Sequence, residues 1–154
     1  MVALNPAPPA AQRPAFTAAR RVAFSDCDPA GIVFFPQYLV MLNGVVEQWF
    51  DERLGLAYAA LIGPRRLGLP TVRLECDFTA ISRHGDALQW RLHLQHLGGS
   101  SLHLLHEAQG GPTFEETRLR VRQVLVCTSL QTHRAQPWPA DLRAAFTTCL
   151  ETPA

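Results

Sequence analysis

Apolar and polar residues follow two different periods along this chain, and the longer period marks one long helix. From Pro36 to Leu54 the apolar side chains recur every three or four residues and form a broad stripe, made of Tyr38, Leu42, Val45, Val46, Trp49 and Phe50. Pro36 suits the first turn of a helix, and Gly55 suits the position just after its end. The pattern predicts a helix over 36–54 that lies across a sheet, with a short second helix over 57–62.

The strands are predicted from alternation with a period of two residues. The alternation is cleanest over 72–79, where it predicts one buried and one polar face. The full series covers residues 16–24, 72–79, 88–94, 101–107 and 117–127. Gly98-Gly99 joins the third and fourth of these as a hairpin. A two-residue loop there places Leu94 opposite His103, and a loop one residue longer places Leu94 opposite Leu104.

One helix between a first strand and a run of four strands predicts an α+β fold with hairpin connections. Residues 1–15 are rich in Pro and Ala without periodicity, so we interpret them as a flexible tail. A short terminal helix is expected over 140–150. Because no repeat or domain boundary interrupts the remainder, residues 16–154 are expected to form a single domain.

Composition narrows the classes of function. The chain has 154 residues and is 47% hydrophobic and 18% charged, which is typical of a globular protein. Its net charge of +1 gives no reason to expect a nucleic-acid partner. No apolar run approaches the roughly 20 residues of a membrane span, and no secretion signal is evident, so we expect a cytoplasmic protein with no membrane partner. Four widely spaced cysteines favour free thiols over a disulfide or zinc framework.

Two carboxylates, Asp26 and Asp28, stand just before the predicted long helix. Pro29 holds Asp28 in an extended conformation, and Gly31 permits positive φ or the close approach of a ligand. A fixed carboxylate beside a helix N-terminus suits attack on a carbonyl group, because the free N–H groups of the first turn can bind the developing oxyanion. From spacing alone, turn and capping roles are the commoner interpretation of both aspartates.

The run Asp26-Cys27-Asp28-Pro29-Ala30-Gly31-Ile32-Val33-Phe34-Phe35-Pro36-Gln37-Tyr38 resembles the signature of the hotdog-fold acyl-CoA thioesterases, most of all the 4-hydroxybenzoyl-CoA thioesterase branch. The order of predicted elements agrees from about Ala18 to Leu130. The resemblance implies a hotdog fold, in which a curved antiparallel sheet wraps around one long central helix. It also implies that Asp28 is the catalytic carboxylate and that the backbone N–H of Phe35, or of a close neighbour, polarises the thioester carbonyl.

The resemblance further implies that coenzyme A is part of the substrate, that no separate cofactor or metal is needed, and that the acyl pocket lies between the subunits of a homodimer or homotetramer. Substrate-binding residues are then expected at Gly31, Tyr38, Asn43, Arg73, Ser100 and Ser101. The sequence departs from the family at two places. A turn that is rich in Arg and Lys in the 4-hydroxybenzoyl enzyme reads Gly98-Gly99-Ser100-Ser101, and Asn43 replaces an Asp that lies near the substrate's ring hydroxyl.

We therefore expect hydrolysis of an aromatic or other compact acyl-CoA, of the 4-hydroxybenzoyl-CoA or benzoyl-CoA type, with Asp28 as nucleophile or general base. One alternative is a thioesterase for aliphatic acyl-CoA or acyl carrier protein, and another is a non-catalytic acyl-CoA-binding module. Glu47 is the rival catalytic carboxylate, because other hotdog subfamilies use a helix Glu. On its polar line with Asn43 and Asp51, however, Glu47 is more typical of a solvated or interface-facing residue.

Two further groups of side chains could bind a ligand but also have a simpler interpretation. Arg118, Arg120 and Arg122 share one predicted strand face and could pair with phosphate groups, although such a row is more typical of a solvated or interface surface. A metal site needs three or four converging ligands. The histidines around the Gly-Gly hairpin do not predict one, because the hairpin register is open; they are His93, His96, His103 and His106.

Overall fold

A computed structural model describes residues 13–151. Five strands form one antiparallel sheet in the order β1-β4-β5-β6-β3, and two short strands, β2 and β7, pair separately. The strands are β1 (Phe16–Arg21), β2 (Leu67–Gly68), β3 (Thr71–Phe78), β4 (Ala87–Leu97), β5 (Ser101–Gly110), β6 (Glu116–Val126) and β7 (Thr128–Ser129). The helices are α1 (Phe35–Gln48), which continues as a π-helical turn (Trp49–Leu54), α2 (Tyr58–Ile62) and α3 (Ala140–Glu151).

The long helix and one face of the sheet share a single core. The apolar stripe of α1 is buried together with alternate residues of the central strands, among them Trp90, Leu92, Leu104 and Val121. Gly55 ends the helical segment in the left-handed conformation, with φ of 66°. The predicted α+β hotdog fold, with its sheet around one central helix, is confirmed.

Other sequence predictions fall at the two ends of the chain. Residues 1–12 of the predicted tail lie outside the described residues. Ala15, at the end of that tail, is buried, and its N–H donates to the Leu92 carbonyl at 2.7 Å. The terminal helix is present as α3, whose Phe146 stacks on Trp49 with ring centroids 5.7 Å apart. No helix between residues 13 and 151 is long and apolar enough to cross a membrane.

The Gly98-Gly99 hairpin takes the longer of the two predicted registers. Leu94 pairs with Leu104, and a bulge between Leu94 and His96 absorbs the extra residue. His96 then contacts His103, with ring centroids 5.1 Å apart, whereas His106 is buried in the core. Within residues 13–151 no three His, Cys, Asp or Glu side chains converge as a metal site, and all four cysteines are free thiols.

The exposure of strand β3 differs from the sequence-based prediction. The expected burial of one face is wrong for this chain, because Val72, Leu74 and Phe78 are 60%, 37% and 49% exposed. The reason is the sheet order, which places β3 at an open edge beyond β6. A register shift between Thr71 and Arg73 also interrupts the simple alternation. An apolar edge strand with unpaired backbone groups is a surface suited to association.

Candidate active site

Asp26 shapes the backbone that leads into α1. Its side chain accepts a hydrogen bond from the Ala23 N–H at 2.8 Å and closes a short 3-10 turn (Phe24–Asp26). Its carbonyl accepts the Phe34 N–H at 2.9 Å, and the Asp26 side chain is buried. Asp26 therefore has the turn-closing role that spacing alone suggested, and it supports the position of the segment that follows.

Asp28 lies in a tight turn that fixes one of its two carboxylate oxygens. The Asp28 N–H donates to the Ile32 carbonyl at 3.0 Å, and the Gly31 N–H donates back to the Asp28 carbonyl at 2.9 Å. Gly31 has φ of 78°, a conformation that favours glycine. Oδ1 of Asp28 accepts the Ala30 N–H at 2.8 Å, and Oδ2 has no hydrogen-bond partner in the described part of the chain. Oδ1 of Asp28 is thus held by a hydrogen bond, and Oδ2 is available to a substrate or a water.

The Phe35 N–H in the first turn of α1 has no acceptor in the described part of the chain. The Phe34 N–H is taken by Asp26, the Gln37 N–H donates to the Phe34 carbonyl at 2.8 Å, and Pro36 has no N–H. An unpaired N–H at the positive end of a helix dipole is suited to bind a negatively charged oxygen.

Tyr38 belongs to a buried network rather than to an open surface. Its hydroxyl donates to Ser82 Oγ at 2.8 Å, and the Ser82 carbonyl accepts the Val33 N–H at 2.9 Å. Burial raises the pKa of Tyr38, although the hydrogen bond with Ser82 opposes this effect. The predicted substrate contact at Tyr38 remains a prediction, and in this structure its hydroxyl fixes the loop before β4 against α1.

Arg118 completes the same network from β6. It is only 8% exposed, so the solvated-surface interpretation is wrong for this residue. Its guanidinium donates to the Ile81 carbonyl, and to Asp86 Oδ2 at 3.1 Å. Arg120 instead pairs with Glu107 at 2.8 Å. The loop over 82–86 is therefore held from α1 and β6 at once.

Asp28 and Gly31 line a cleft whose remaining walls are Phe24, Cys27, Pro29 and His84. On the other side of the helix start, the Phe35 ring packs edge-on against Phe78, with centroids 6.1 Å apart. No sequence motif connects His84 with Asp28. The two meet because Ile32 and Arg83 form an isolated β-bridge that joins their loops.

The other predicted substrate contacts lie elsewhere. Asn43 is exposed about two turns along α1 from Phe35, and Arg73 pairs with Glu75 on the open strand β3. Ser100 and Ser101 follow β4, whereas the loop over 82–86 precedes it. Since β4 has 11 residues, the two ends are roughly 35 Å apart along the strand. Within one chain, Asp28 and Gly31 therefore line the same cleft, whereas Ser100 and Ser101 lie at the other end of β4.

Comparison with known proteins identifies similar sequences and folds. The family model described as the thioesterase-like superfamily matches residues 22–146. A 1,4-dihydroxy-2-naphthoyl-CoA hydrolase from Synechocystis sp. is 28% identical over 132 residues, which cover 85% of this chain and 94% of that protein. A 4-hydroxybenzoyl-CoA thioesterase from Pseudomonas sp. is 32% identical over 73 residues, or 47% of this chain and 52% of that protein. The structure of a gentisyl-coenzyme A thioesterase superposes with a TM-score of 0.75 at 26% identity, covering 83% of this chain and 99% of that one.

Proposed function

The chain belongs to the thioesterase-like superfamily and is a thioester hydrolase, and on this premise we propose that it converts the coenzyme A thioester of a compact aromatic acid to the free acid and CoA. The substrates named for its relatives support an aromatic acyl group, since all are hydroxylated aromatic acids joined to CoA.

The observation that carries the mechanism is that one hydrogen-bonded segment leaves both the Phe35 N–H and one carboxylate oxygen of Asp28 without a partner in the described part of the chain. The thioester carbonyl oxygen accepts a hydrogen bond from the Phe35 N–H, which stabilises the negative charge that develops on that oxygen. Oδ2 of Asp28 attacks the carbonyl carbon, or removes a proton from a water that attacks it. The C–S bond then breaks and CoA leaves as a thiolate. When Asp28 itself has attacked, the product is a mixed anhydride between the acyl group and Asp28, which water hydrolyses to the free acid and the restored carboxylate. Because thiols of this type have a pKa of about 8.5, departure does not require a strong general acid.

Exposed aromatic rings near the start of α1 support an aromatic acyl group. Phe34 packs edge-on against Phe35, and Phe35 against Phe78, with centroids 5.6 and 6.1 Å apart. Ile81 is exposed on the loop that follows β3. An aromatic acid could stack on these rings, and such contacts contribute roughly 0.5–1.5 kcal/mol beyond simple burial.

The same rings support a homodimer as the functional unit. Phe78 lies at the end of the open strand β3, whose Val72 and Leu74 are also exposed. A second copy on this edge pairs the free backbone groups of β3 and covers its apolar side chains. The partner then closes the acyl pocket over Phe35, which excludes water from the reacting carbonyl.

The test is thiol release from a panel of thioesters by the wild type, Asp28→Asn and Glu47→Gln. The panel contains benzoyl-CoA, hydroxylated benzoyl-CoAs, aliphatic acyl-CoAs and one acyl carrier protein. Asp28→Asn keeps the shape of the side chain but removes its charge, so we expect turnover to be lost while Glu47→Gln stays active. Activity that depends on Glu47 instead of Asp28 would refute the mechanism. Binding of acyl-CoA without any thiol release would favour the binding-module alternative.

A further inference from the structure

The proposed reaction does not by itself explain how the nucleotide of CoA is held. The turn of Gly98 to Ser101 contains no basic residue, and α3 and the segment before it occupy its carbonyl groups. Arg143 donates to the carbonyls of Gly98 and Gly99 at 2.7 and 3.2 Å, and the Trp138 indole donates to that of Ser101 at 3.2 Å. The turn itself therefore supplies no cationic side chain to the phosphate groups of CoA.

The loop over 82–86 supplies a rigid rim beside that cleft. The Gly85 N–H donates to the Val22 carbonyl at 2.9 Å, which ties the loop to the end of β1. Gly85 has φ of 89°, and the Arg21 guanidinium lies 3.9 Å from the position that a Cβ on Gly85 would occupy. The Arg21 guanidinium of β1 thus lies beside the loop that carries Arg83.

These two arginines carry uncompensated charge. Neither guanidinium has a carboxylate within 4.0 Å in the part of the chain that the structure describes. The carboxylate of that loop, Asp86, is already bound by Arg118 at 3.1 Å and by the Arg83 backbone N–H at 2.9 Å. Two exposed guanidinium groups without acidic partners suit phosphate groups, which they bind through paired N–H donors.

The cleft that contains Asp28 has an aromatic wall, to which this loop contributes His84. Phe24 is 80% exposed and packs edge-on against His84, with ring centroids 5.8 Å apart. Both rings line the cleft together with Asp28 and Gly31. An extended chain of methylene and amide groups, such as the pantetheine arm, could lie along these rings with its thioester end at Asp28.

We propose that Arg21 and Arg83 bind the phosphate groups of CoA, and that Phe24 and His84 flank the pantetheine arm as it leads to Asp28. This assignment rests on the proposed thioesterase function. It places the phosphate anchor on the loop before β4, at the end of that strand opposite to Ser100 and Ser101. The anchor acts in binding, so its loss should change KM while kcat stays the same.

The experiment compares two substrates with the same acyl group, the acyl-CoA and the acyl thioester of N-acetylcysteamine, which lacks the nucleotide and phosphates. Arg21→Gln and Arg83→Gln should each raise the KM for acyl-CoA by roughly 10- to 100-fold, the value of a charged hydrogen bond. Neither variant should change the KM for the N-acetylcysteamine thioester. Arg122→Gln is the matched control, because Arg122 also lacks an ion pair within the described chain but lies on β6, away from this loop. 3′-Phospho-ADP should inhibit these two variants more weakly than the wild type, in parallel with the rise in KM.

The outcomes separate this assignment from the function on which it rests. If the wild type hydrolyses both substrates and the Arg21/Arg83 double variant keeps its KM for acyl-CoA, the phosphate anchor is refuted and the thioesterase stands. An equal rise in the KM of Arg122→Gln for acyl-CoA, or an equal rise in the KM of the two variants for the N-acetylcysteamine thioester, also overturns the anchor. A wild type that hydrolyses neither substrate refutes the proposed function and the anchor together.

Discussion

The buried histidine of the core makes the stability of this protein depend on pH in a defined window. His106 is fully buried, its Nε2 lies 2.9 Å from the Gln123 side-chain oxygen, and its Nδ1 has no partner in the described chain. Burial lowers the pKa of His106 from 6.5 to about 4, although the hydrogen bond to Gln123 opposes this. Between these two pKa values, the unfolded chain binds a proton at His106 and the folded protein does not.

The sign of the effect follows from the two pKa values. Between pH 6.5 and about 4 the unfolded chain binds more protons than the folded protein, so stability falls as the pH decreases through this window. Since one pKa unit corresponds to 1.36 kcal/mol, the full effect of His106 is about 3 kcal/mol. This loss is a large part of the stability of a typical domain of this size, which is roughly 5–15 kcal/mol.

Urea unfolding at several pH values between 7 and 4 measures the effect. We expect the free energy of unfolding of the wild type to fall across this range. His106→Leu removes the titrating group, so its stability should change much less with pH, even if it is lower at pH 7 because Gln123 loses its partner. His96→Gln is the control, since His96 is exposed and its replacement should leave the wild-type slope. A slope that is the same in the wild type and His106→Leu would refute the assignment.

Three other expectations concern Glu107, Tyr38 and Leu74. His93 and then Arg120 lower the pKa of Glu107 from 4.5 to about 2. Glu107 therefore stabilises the fold fully above pH 4.5, and this contribution is lost as the pH falls toward 2. In acid titrations, the free energy of unfolding of Glu107→Gln should not show this decrease. Tyr38→Phe removes a buried hydrogen bond and should lower the free energy of unfolding by about 1–2 kcal/mol in urea melts. Leu74→Asp places charge on the open edge of β3 and should give a monomer, measured by light scattering, that releases less thiol than the wild type. A variant that remains an active dimer would contradict the proposed interface.

The parts of the site that the sequence predicts correctly are those encoded within a few neighbouring residues. The α1 helix follows from its apolar stripe, from Pro36 in its first turn and from Gly55 after its end. The turn at Asp28 follows from Pro29 and Gly31, whose backbone preferences act locally. These features needed no knowledge of the sheet, and for that reason the helix could be placed to within one residue of its start.

The parts that sequence analysis missed depend on contacts between distant segments. The exposure of β3 follows from its position at the sheet edge, which the alternation of its side chains does not encode. Tyr38 and Ser82 are hydrogen-bonded although 44 positions separate them. Arg118 has the spacing of a surface residue, yet it is buried because it reaches the loop over 82–86. In each case the tertiary arrangement, and not the local pattern, decides the environment of the side chain.

This division between local and distant contacts also separates the two proposed tasks of the site. The proposed reacting groups, Asp28 and the Phe35 N–H, lie on one short segment that its own hydrogen bonds hold in place. The proposed phosphate anchor instead joins Arg21 of β1 to Arg83 of a loop that follows β3. Substitutions within 26–35 should therefore lower kcat for every thioester. Substitutions on the rim should raise KM only for substrates that carry the nucleotide, because nothing in the reacting segment depends on those two side chains.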